Sequence, residues 1–534
     1  VTNQSNKQKI SARNFFESAL SFSPFVTNLI WFTQATSNDI NRLFANGRGK
    51  IPSNVLGADF DFKTLIRLLF LQKPPFRTRS GYVFDSNYES RNVADFHRAL
   101  MLFSRSKKQM GELTRRRIER LTAQSLSGRL LIDSKGKLSI YRGRAGTGKT
   151  VRLIQTAIKL VDEEQVRVLI LTYNRALVSD IRRLFALAEL PDMFEENCVT
   201  INTMQSFFFQ LANNLLYDGR MLGDEFLEKY DSILREMNVF LSDDDAIGLA
   251  KESMAADQTL DWDYVLIDEA QDWKASERDV VLKLFEKGKT IIADGGNQFV
   301  RRGQMCDWAT VRDRNNIKLK YCLRQKENIV SFLNEYTQHV DMPSEKIISN
   351  GKMAGGKIII ISDNMLFDVH KREMDSLIRC GNIAYDMLYF VPHSLVKRSN
   401  GESQFALIRE FERHNVFFWD GTNSSNRGNY STASDEVRVL QYDSARGLEG
   451  WTVVCMDFDV FLEEKLAEYI EGEVDSLLLE SPEEKKRKYI YNWAMIPFTR
   501  AIDTLVITIK DKESSTGKLL KEIANECRDY VSWM

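Results

Sequence analysis

The stretch GRAGTGKT, residues 143–150, decides the fold of this chain. Residues 138–142, just before it, predict a short strand, and residues 150–160, just after it, predict a helix. A strand, a glycine-rich turn and a helix in this order are typical of a parallel α/β sheet.

The same stretch fits the phosphate-binding pattern GxxxxGK[ST]. Gly143, Gly146 and Gly148 allow main-chain N–H groups to wrap around a phosphate. Lys149 is expected to bridge the β- and γ-phosphates, and the hydroxyl of Thr150 to hold Mg²⁺. The helix that follows adds its positive N-terminal end. We therefore expect a nucleoside triphosphate site at these five residues.

A second chemical pattern lies in residues 264–272, YVLIDEAQD. An apolar strand, residues 264–267, ends in the two carboxylates of Asp268 and Glu269. Ligands of open α/β sheets bind at the carboxyl ends of the strands, where these groups would lie. Asp268 is expected to hold Mg²⁺, and Glu269 to orient and deprotonate an attacking water.

Further β-rich segments alternate with helical stretches along the whole chain, which indicates parallel sheets. They fall into two sets, so we expect two α/β lobes of similar kind. The segments are 166–172 and 290–293 in the first set, and 357–361, 387–391, 437–441, 453–458 and 504–509 in the second.

Composition narrows the class of protein. The 534 residues include 73 basic and 74 acidic side chains, so the net charge of −1 excludes a uniformly basic coat protein and a highly charged disordered chain.

The six cysteines form no CxxC pair, which argues against a zinc ribbon or a disulfide framework and favours a cytoplasmic protein. We find no membrane span or secretory signal. Because the first residue is Val, we expect the native chain to begin earlier.

Seven motifs now follow one another in a recognisable order. They are LTYNRA (171–176), TMQSF (203–207), DEAQD (268–272), DGGNQ (294–298), LR (323–324), SARGLEG (444–450) and PFTRA (497–501). Together with the phosphate-binding loop they resemble the motifs of the UvrD/Rep/PcrA helicases of superfamily 1, over about residues 120–510. The resemblance implies two RecA-like lobes that bind ATP and Mg²⁺.

The resemblance also implies further nucleotide-site residues. Gln298 corresponds to the glutamine that senses the γ-phosphate, Arg324 to a γ-phosphate ligand and Arg500 to the arginine finger. Glu449 would contribute to nucleotide binding, and Gln124 would read the adenine.

A second group of residues is implied to contact single-stranded DNA, with RNA as the alternative. Tyr173 and Phe299 are the candidates for stacking on bases. The full group is Thr172, Tyr173, Asn174, Thr203, Phe299, Ser444 and Arg446.

Several positions depart from the family pattern. Leu323 stands where the family usually has a tyrosine that stacks on adenine, which puts base selectivity in doubt. Asp443 and Arg446 replace a histidine and a lysine, and Gln205 replaces another histidine. The first two lie on the expected DNA side, so they bear on the coupling between DNA binding and hydrolysis.

The spacing predicts a compact arrangement without the family's large 2B domain. A basic run is expected to be a solvated helix face, with contact to a phosphate backbone as the alternative; its members are Arg105, Lys107, Lys108, Arg115, Arg116, Arg117 and Arg120. The expected parts are a mostly helical N-terminal accessory region (1–118), lobe 1A (119–206 and 261–319), a small helical insert 1B (207–260) and lobe 2A (320–534).

We expect an ATP-dependent translocase or helicase that moves 3′ to 5′ on single-stranded DNA. The alternative is a DNA-sensing ATPase switch that regulates a partner or nuclease without processive unwinding. The N-terminal region would then bind the partner protein. That region could instead be the remnant of a nuclease domain, although Asp59, Asp61 and Lys63 do not complete a nuclease site.

Overall fold

The computed structural model describes most of the chain from residue 110 onward and short segments before it. The described residues are 30–31, 35–46, 55–61, 110–123, 136–188, 190, 197–257, 259–295, 306–342, 346–399, 402–423, 426–428, 433–469 and 481–534. The chain divides into two compact units, residues 1–108 with 182–192, and residues 109–181 with 193–534.

In the first unit, strand β1 (Ile30–Trp31) pairs in parallel with strand β2 (Val55–Leu56), and helix α1 spans Ser37–Asn46. The carboxylate of Asp59 accepts hydrogen bonds from the amide and hydroxyl of Ser37, the first residue of α1. The predicted mostly helical N-terminal region falls largely on residues outside the described ones, and so does Lys63.

The second unit contains two parallel sheets, and we call the parts built around them lobe one and lobe two. The sheet of lobe one has six parallel strands in the order β5-β4-β6-β7-β3-β8. Its strands are β3 (Leu138–Gly143), β4 (Arg167–Thr172), β5 (Cys198–Thr203), β6 (Tyr264–Ile267), β7 (Thr290–Asp294) and β8 (Arg314–Leu319).

Apolar side chains explain why the central strands of this sheet form. In β6, Val265, Leu266 and Ile267 are all fully buried, as expected for a strand that helices cover on both faces. Because all six strands are parallel, their carboxyl ends meet at one edge. The loops after β3 and β6 therefore lie on the same side of the sheet.

The helices of lobe one include four between β5 and β6. Phe208 and Met237, from two of these four, belong to the same hydrophobic core as the strand residues Leu169 and Val265. The helices before β6 are α2 (Glu112–Thr122), α3 (Lys149–Glu164), α4 (Arg175–Ala188), α5 (Met204–Leu215), α6 (Gly223–Glu228), α7 (Tyr230–Phe240) and α8 (Asp244–Ala256), and α9 (Ala275–Leu284) follows it. Residues 182–188 of α4 are assigned to the first unit.

Lobe two has a seven-stranded parallel sheet in the order β15-β16-β12-β17-β18-β11-β19. Its strands are β11 (Lys357–Ser362), β12 (Met387–Val391), β15 (Phe418–Asp420), β16 (Val437–Gln441), β17 (Gly450–Cys455), β18 (Ala501–Ile509) and β19 (Val531–Trp533). Two smaller pairs accompany it: parallel β9 (Tyr321–Cys322) and β10 (Ile348–Ser349), and antiparallel β13 (Val396–Ser399) and β14 (Glu402–Phe405). Its helices are α10 (Glu327–His339), α11 (Leu366–Arg379), α12 (Ile408–Arg413), α13 (Phe458–Glu468), α14 (Pro482–Phe498) and α15 (Ser515–Glu526).

The predicted α/β fold class with two parallel-sheet lobes is confirmed by these two sheets. The domain boundaries remain predictions, and helix α2 crosses the one expected at residues 118/119. Within the described part of the chain, no helix is both long enough and apolar enough to cross a membrane.

Candidate nucleotide and nucleic-acid site

The glycine-rich loop connects β3 to α3 and depends on glycine backbone geometry. Gly146 and Gly148 have φ angles of +76° and +88°, in the left-handed region that favours glycine. A Cβ on Gly143 would lie 2.6 Å from Oγ1 of Thr147 and 2.7 Å from the carbonyl oxygen of Leu319. The loop therefore has the tight backbone that phosphate wrapping requires.

Lys149 opens helix α3 and is buried. Its ammonium donates a 3.0 Å hydrogen bond to the carbonyl oxygen of Arg144, within the loop itself. Burial lowers the pKa of Lys149, and the nearby carboxylates of Glu269 and Asp268 oppose that shift. A phosphate beside the ammonium would likewise favour its charged form.

Thr150 and Asp268 meet although they come from different strand–loop units. The Thr150 hydroxyl donates a 2.9 Å hydrogen bond to Oδ2 of Asp268, which is buried at the end of β6. Oδ1 of Asp268 is buried and has no hydrogen-bond partner among the described residues. A hydroxyl and a carboxylate with a free oxygen are ligands that Mg²⁺ prefers, so these two residues fit the expected metal.

Glu269 has φ 50° and ψ 46°, a left-handed conformation that is costly for a residue with a side chain. Burial raises the pKa of Asp268 to about 7, helped by the charge of Glu269. Burial also opposes ionisation of Glu269, but Lys149 and Arg446 outweigh it and lower the pKa of Glu269 to about 2. The positive charges around Glu269 therefore favour its ionised form.

Gln271 was not singled out by sequence reasoning, yet it is fully buried beside the carboxylate of Glu269. Its Nε2 donates to Oε2 of Glu269 at 2.7 Å, and its Oε1 accepts from the amide of Gly295 at 2.7 Å. Gln271 therefore connects the Glu269 carboxylate to the backbone of Gly295, in the DGGNQ motif. The DEAQD motif could have predicted this contact, because its glutamine follows the carboxylate of Glu269 by only two residues.

In lobe two, the two predicted arginines both donate hydrogen bonds to Thr499. Arg324 donates from Nε to Oε1 of Glu449 at 2.7 Å, and from Nη1 to the carbonyl oxygen of Thr499 at 3.3 Å. Arg500 is buried and donates from Nε to the carbonyl oxygen of Ile496 at 3.0 Å and from Nη2 to Oγ1 of Thr499 at 2.9 Å. Burial, with the like charge of Arg324, lowers the pKa of Arg500 to about 9.

The loop also contacts lobe two directly. The amide of Leu323 donates a 2.8 Å hydrogen bond to the carbonyl oxygen of Gly146. A Cβ on Gly146 would lie 2.8 Å from Sγ of Cys322, so only glycine fits this approach. Leu323, at the position of the family's adenine-stacking tyrosine, is 47 % exposed beside the loop.

Asn174 connects the lobes and is buried. Its Nδ2 donates at 2.8 Å to the carbonyl oxygens of both Ser444 and Arg446, and its Oδ1 accepts from the amide of Ala176 at 3.0 Å. The side chain of Arg446 forms a buried ion pair with Asp272 of the DEAQD motif. The structure thus brings three of the predicted strand-binding residues together at a contact between lobes.

The remaining described strand-binding candidates differ in exposure. Tyr173 is 39 % exposed, whereas Thr172 and Thr203 are buried. The hydroxyl of Thr203 accepts from the amide of Ser206 and so caps helix α5. Among these residues Tyr173 has the accessible side chain.

Three predicted residues lie outside the described part of the chain. These are Gln124, Gln298 and Phe299.

The basic run on α2 is not one uniform solvated face. Arg115 and Arg116 have side chains that are 57 % and 42 % exposed, but that of Arg117 is 11 % exposed. Leu113 and Leu121, four residues on either side of Arg117, are buried. This four-residue spacing puts Arg117 on the buried face, and it is the signal that sequence reasoning missed.

Comparison with known proteins yields structural similarities only. No protein-family model matches the sequence, and no curated protein matches it. The crystal structure of arterivirus nonstructural protein 10, a helicase, aligns with a TM-score of 0.30 and 10 % identity, over 73 % of this chain and 63 % of that chain. Its complex with DNA has the same score and identity, with 73 % and 65 % covered.

A third similar structure is that of the PRRSV helicase, with a TM-score of 0.29 and 9 % identity, over 71 % of this chain and 53 % of that chain. This chain therefore covers less than two thirds of the length of each of these proteins. Since scores this low describe a weak superposition, the function proposed below rests on the site itself.

Proposed function

We propose that this chain hydrolyses ATP between its two lobes and uses the cycle to move 3′ to 5′ along single-stranded DNA, as a UvrD-like helicase or translocase of superfamily 1. The observation that carries the proposal is the convergence of opposite parts of a hydrolytic site. Lobe one contributes a glycine-rich loop and the carboxylates of Asp268 and Glu269, and lobe two contributes Arg324 and Arg500, whose charges act on the lobe-one groups. The polarity and the preference for DNA rest on the motif resemblance alone.

The roles follow from the geometry. Lys149 and the N-terminal end of α3 bind the phosphates. Thr150 and Asp268 would hold Mg²⁺, which would neutralise charge on the phosphates. Glu269 is ionised and fixed by Gln271, so it orients the attacking water and accepts its proton.

Arg324 and Arg500 supply positive charge from lobe two to the γ-phosphate. The charge of Arg324 already acts on Lys149, and that of Glu269 acts on Arg500, across the lobe boundary. Positive charge placed before the reaction stabilises the charge that develops on the transferred phosphoryl group. Opening and closing of the lobes around ATP would alternate the grip on the strand.

A second candidate, a DNA-sensing ATPase switch, is favoured by a specific contact. Asp443, which replaces the family's histidine, accepts a 2.8 Å hydrogen bond from Lys465 and lies 3.0 Å from Nε2 of His393. Neighbouring Arg446 is paired with Asp272. These side chains bind within the protein, which would weaken the grip on a phosphate backbone and favour signalling over processive movement.

The first test is ATP hydrolysis with single-stranded DNA, duplex DNA and RNA in parallel, at two salt concentrations. We expect single-stranded DNA to stimulate hydrolysis and added salt to weaken the effect. Lys149→Ala should abolish the stimulated rate, whereas Lys159→Ala, on an exposed face of the same helix, should retain it. Unchanged stimulated hydrolysis in Lys149→Ala would falsify the proposal.

An unwinding assay separates the two candidates. A helicase should separate a duplex with a single-stranded 3′ tail. A switch should hydrolyse ATP on single-stranded DNA at a comparable rate and leave the duplex intact.

A further inference from the structure

Helix α2 joins the two lobes. At its beginning, the amide of Glu112 donates to the carbonyl oxygen of Gly381 at 2.9 Å, and the amide of Leu113 donates to Oδ1 of Asn382 at 2.8 Å. The side chain of Leu113 belongs to a hydrophobic core of lobe two. Towards its end, the carbonyl oxygen of Arg120 accepts a hydrogen bond from Gln155 of α3, in lobe one.

Arg117, in the middle of α2, contacts a carboxylate of each lobe. Its Nη2 donates to Oδ2 of Asp180, on α4 of lobe one, at 2.5 Å. Its Nε lies 3.6 Å from Oε2 of Glu449, in lobe two. The side chains of Asp180 and Glu449 are buried, and that of Arg117 is 11 % exposed. Burial alone would lower the pKa of Arg117, but the charges of the two carboxylates outweigh it and raise that pKa.

Asp180 also contacts lobe two. Its Oδ1 accepts from the hydroxyl of Tyr385 at 3.1 Å and lies 3.7 Å from Nη1 of Arg438. Arg438 in turn donates from Nη2 to the carbonyl oxygen of Glu449 at 2.7 Å. A lobe-one carboxylate is thus enclosed by donors from α2 and from lobe two.

Glu449 connects Arg117 to Arg324, the predicted γ-phosphate ligand. While Oε2 faces Arg117, Oε1 accepts the 2.7 Å hydrogen bond from Arg324. Burial would raise the pKa of Glu449, but the charges of Arg324 and Arg117 lower it below its usual range. The contacts therefore run from Asp180 through Arg117 and Glu449 to Arg324.

We propose that Arg117 is a positioning residue that fixes Glu449, and through it Arg324, when the two lobes are together. This inference rests on the proposed ATPase function and adds α2, which precedes the phosphate-binding loop, to the machinery. Since both carboxylate oxygens of Glu449 face arginines, Glu449 would act on the nucleotide through Arg324. Asp180 links the same contacts to α4, which begins within the LTYNRA motif.

The test compares Arg117→Gln with Arg115→Gln, an exposed position on the same helix, in strand-stimulated ATP hydrolysis. A misplaced phosphate ligand lowers the rate of the chemical step by about 10- to 100-fold, so we expect kcat of Arg117→Gln to fall by that factor. KM for ATP should change by less than about threefold, because Lys149 and the loop still bind the phosphates. Arg115→Gln should keep the wild-type rate.

Two further variants separate positioning from folding. Arg117→Lys keeps the buried charge but cannot reach both carboxylates as a guanidinium does, so its kcat should also fall while its melting temperature stays near wild type. In a background of Glu449→Gln, Arg117→Gln should lower the rate no further, because both changes break the same connection.

Three results of these assays would count against the inference. If the wild-type protein hydrolyses ATP and both Arg117 variants do so within twofold of it, the inference is wrong and the proposed function stands. A rate that falls only in proportion to the fraction of molecules able to bind a fluorescent ATP analogue would show a folding role and also overturn the inference. If the wild-type protein has no strand-stimulated hydrolysis, the proposed function fails, and this inference fails with it.

Discussion

The hydroxyl of Thr150 donates a 2.9 Å hydrogen bond to Oδ2 of Asp268, 118 residues further along the chain. The two residues meet because β3 and β6 run parallel in one sheet, so the loops that follow them lie at the same edge. The buried second oxygen of Asp268 has no hydrogen-bond partner within the described residues, which leaves it free for a cation.

The first prediction concerns this pair. Thr150→Val removes the hydroxyl at nearly constant volume, so the Mg²⁺ concentration that gives half-maximal hydrolysis should rise by about tenfold or more, as loss of a metal-site contact commonly does. Thr150→Ser retains the hydroxyl and should stay close to wild type. The measurement is an Mg²⁺ titration of ATP hydrolysis, and equal midpoints for the two variants would contradict the assignment.

A second prediction concerns the contact between Gly447 and Leu177, from opposite lobes. Gly447 has φ +74°, and a Cβ there would lie 2.3 Å from Cδ2 of Leu177. Gly447→Ala should therefore destabilise the protein by about 1–3 kcal/mol and lower its melting temperature. Gly248→Ala is the matched control, because Gly248 lies within α8 with open space around it, and it should be neutral or stabilising by up to ~1 kcal/mol. Equal melting temperatures for the two variants would show that the lobes do not approach each other at Gly447.

Much of the fold could be predicted from short stretches because its signals are local. The strand predicted at residues 264–267 is β6 (Tyr264–Ile267), and the one predicted at 290–293 is one residue shorter than β7 (Thr290–Asp294). Both are continuous buried apolar runs, which is the pattern of strands in a covered parallel sheet. The phosphate-binding loop is local as well, since its glycines, lysine and threonine are consecutive in the chain.

The contacts that complete the site are not local, and the sequence did not predict them. Gln271 contacts the amide of Gly295, 24 residues away, and Arg117 contacts Asp180, 63 residues away. A run of basic residues is typical of a solvated protein surface, so the sequence around Arg117 predicts an exposed side chain. Only its tertiary partner distinguishes Arg117 from the exposed Arg115.

The third prediction concerns the choice of base. Leu323 offers no aromatic ring beside the phosphate-binding loop, and Cδ1 of Leu323 lies 3.7 Å from where a Cβ on Gly148 would be. The wild-type protein should therefore discriminate weakly between ATP and GTP. Leu323→Tyr should lower KM for ATP, because stacking of a base on an aromatic ring is worth about 1–3 kcal/mol.

The control for this prediction is a tyrosine at an exposed site elsewhere, Ile378→Tyr on α11. Steady-state kinetics with ATP and GTP should show no change for this variant. If Leu323→Tyr also leaves KM for ATP unchanged, Leu323 does not face the base.

The last prediction is a pH dependence of stability that comes from lobe two. Nδ1 of His370 lies 2.6 Å from the buried hydroxyl of Tyr389, and burial lowers the pKa of His370 to about 4 from an ordinary 6.5. Between these values the unfolded chain binds a proton that the folded chain does not. The contribution of His370 to stability is therefore fully present above pH 6.5 and is lost as the pH falls towards 4.

The full shift corresponds to about 3 kcal/mol, at 1.36 kcal/mol per pH unit. His370→Gln can still hydrogen-bond Tyr389 but does not titrate, so its melting temperature should fall less between pH 7 and pH 4.5 than that of the wild type. His414→Gln, at an exposed position where the ring stacks on Phe367, should keep the wild-type pH profile. If the wild type and His370→Gln lose the same amount of stability over that range, His370 gains its proton in the folded state as readily as in the unfolded one, and the acid sensitivity arises elsewhere in the chain.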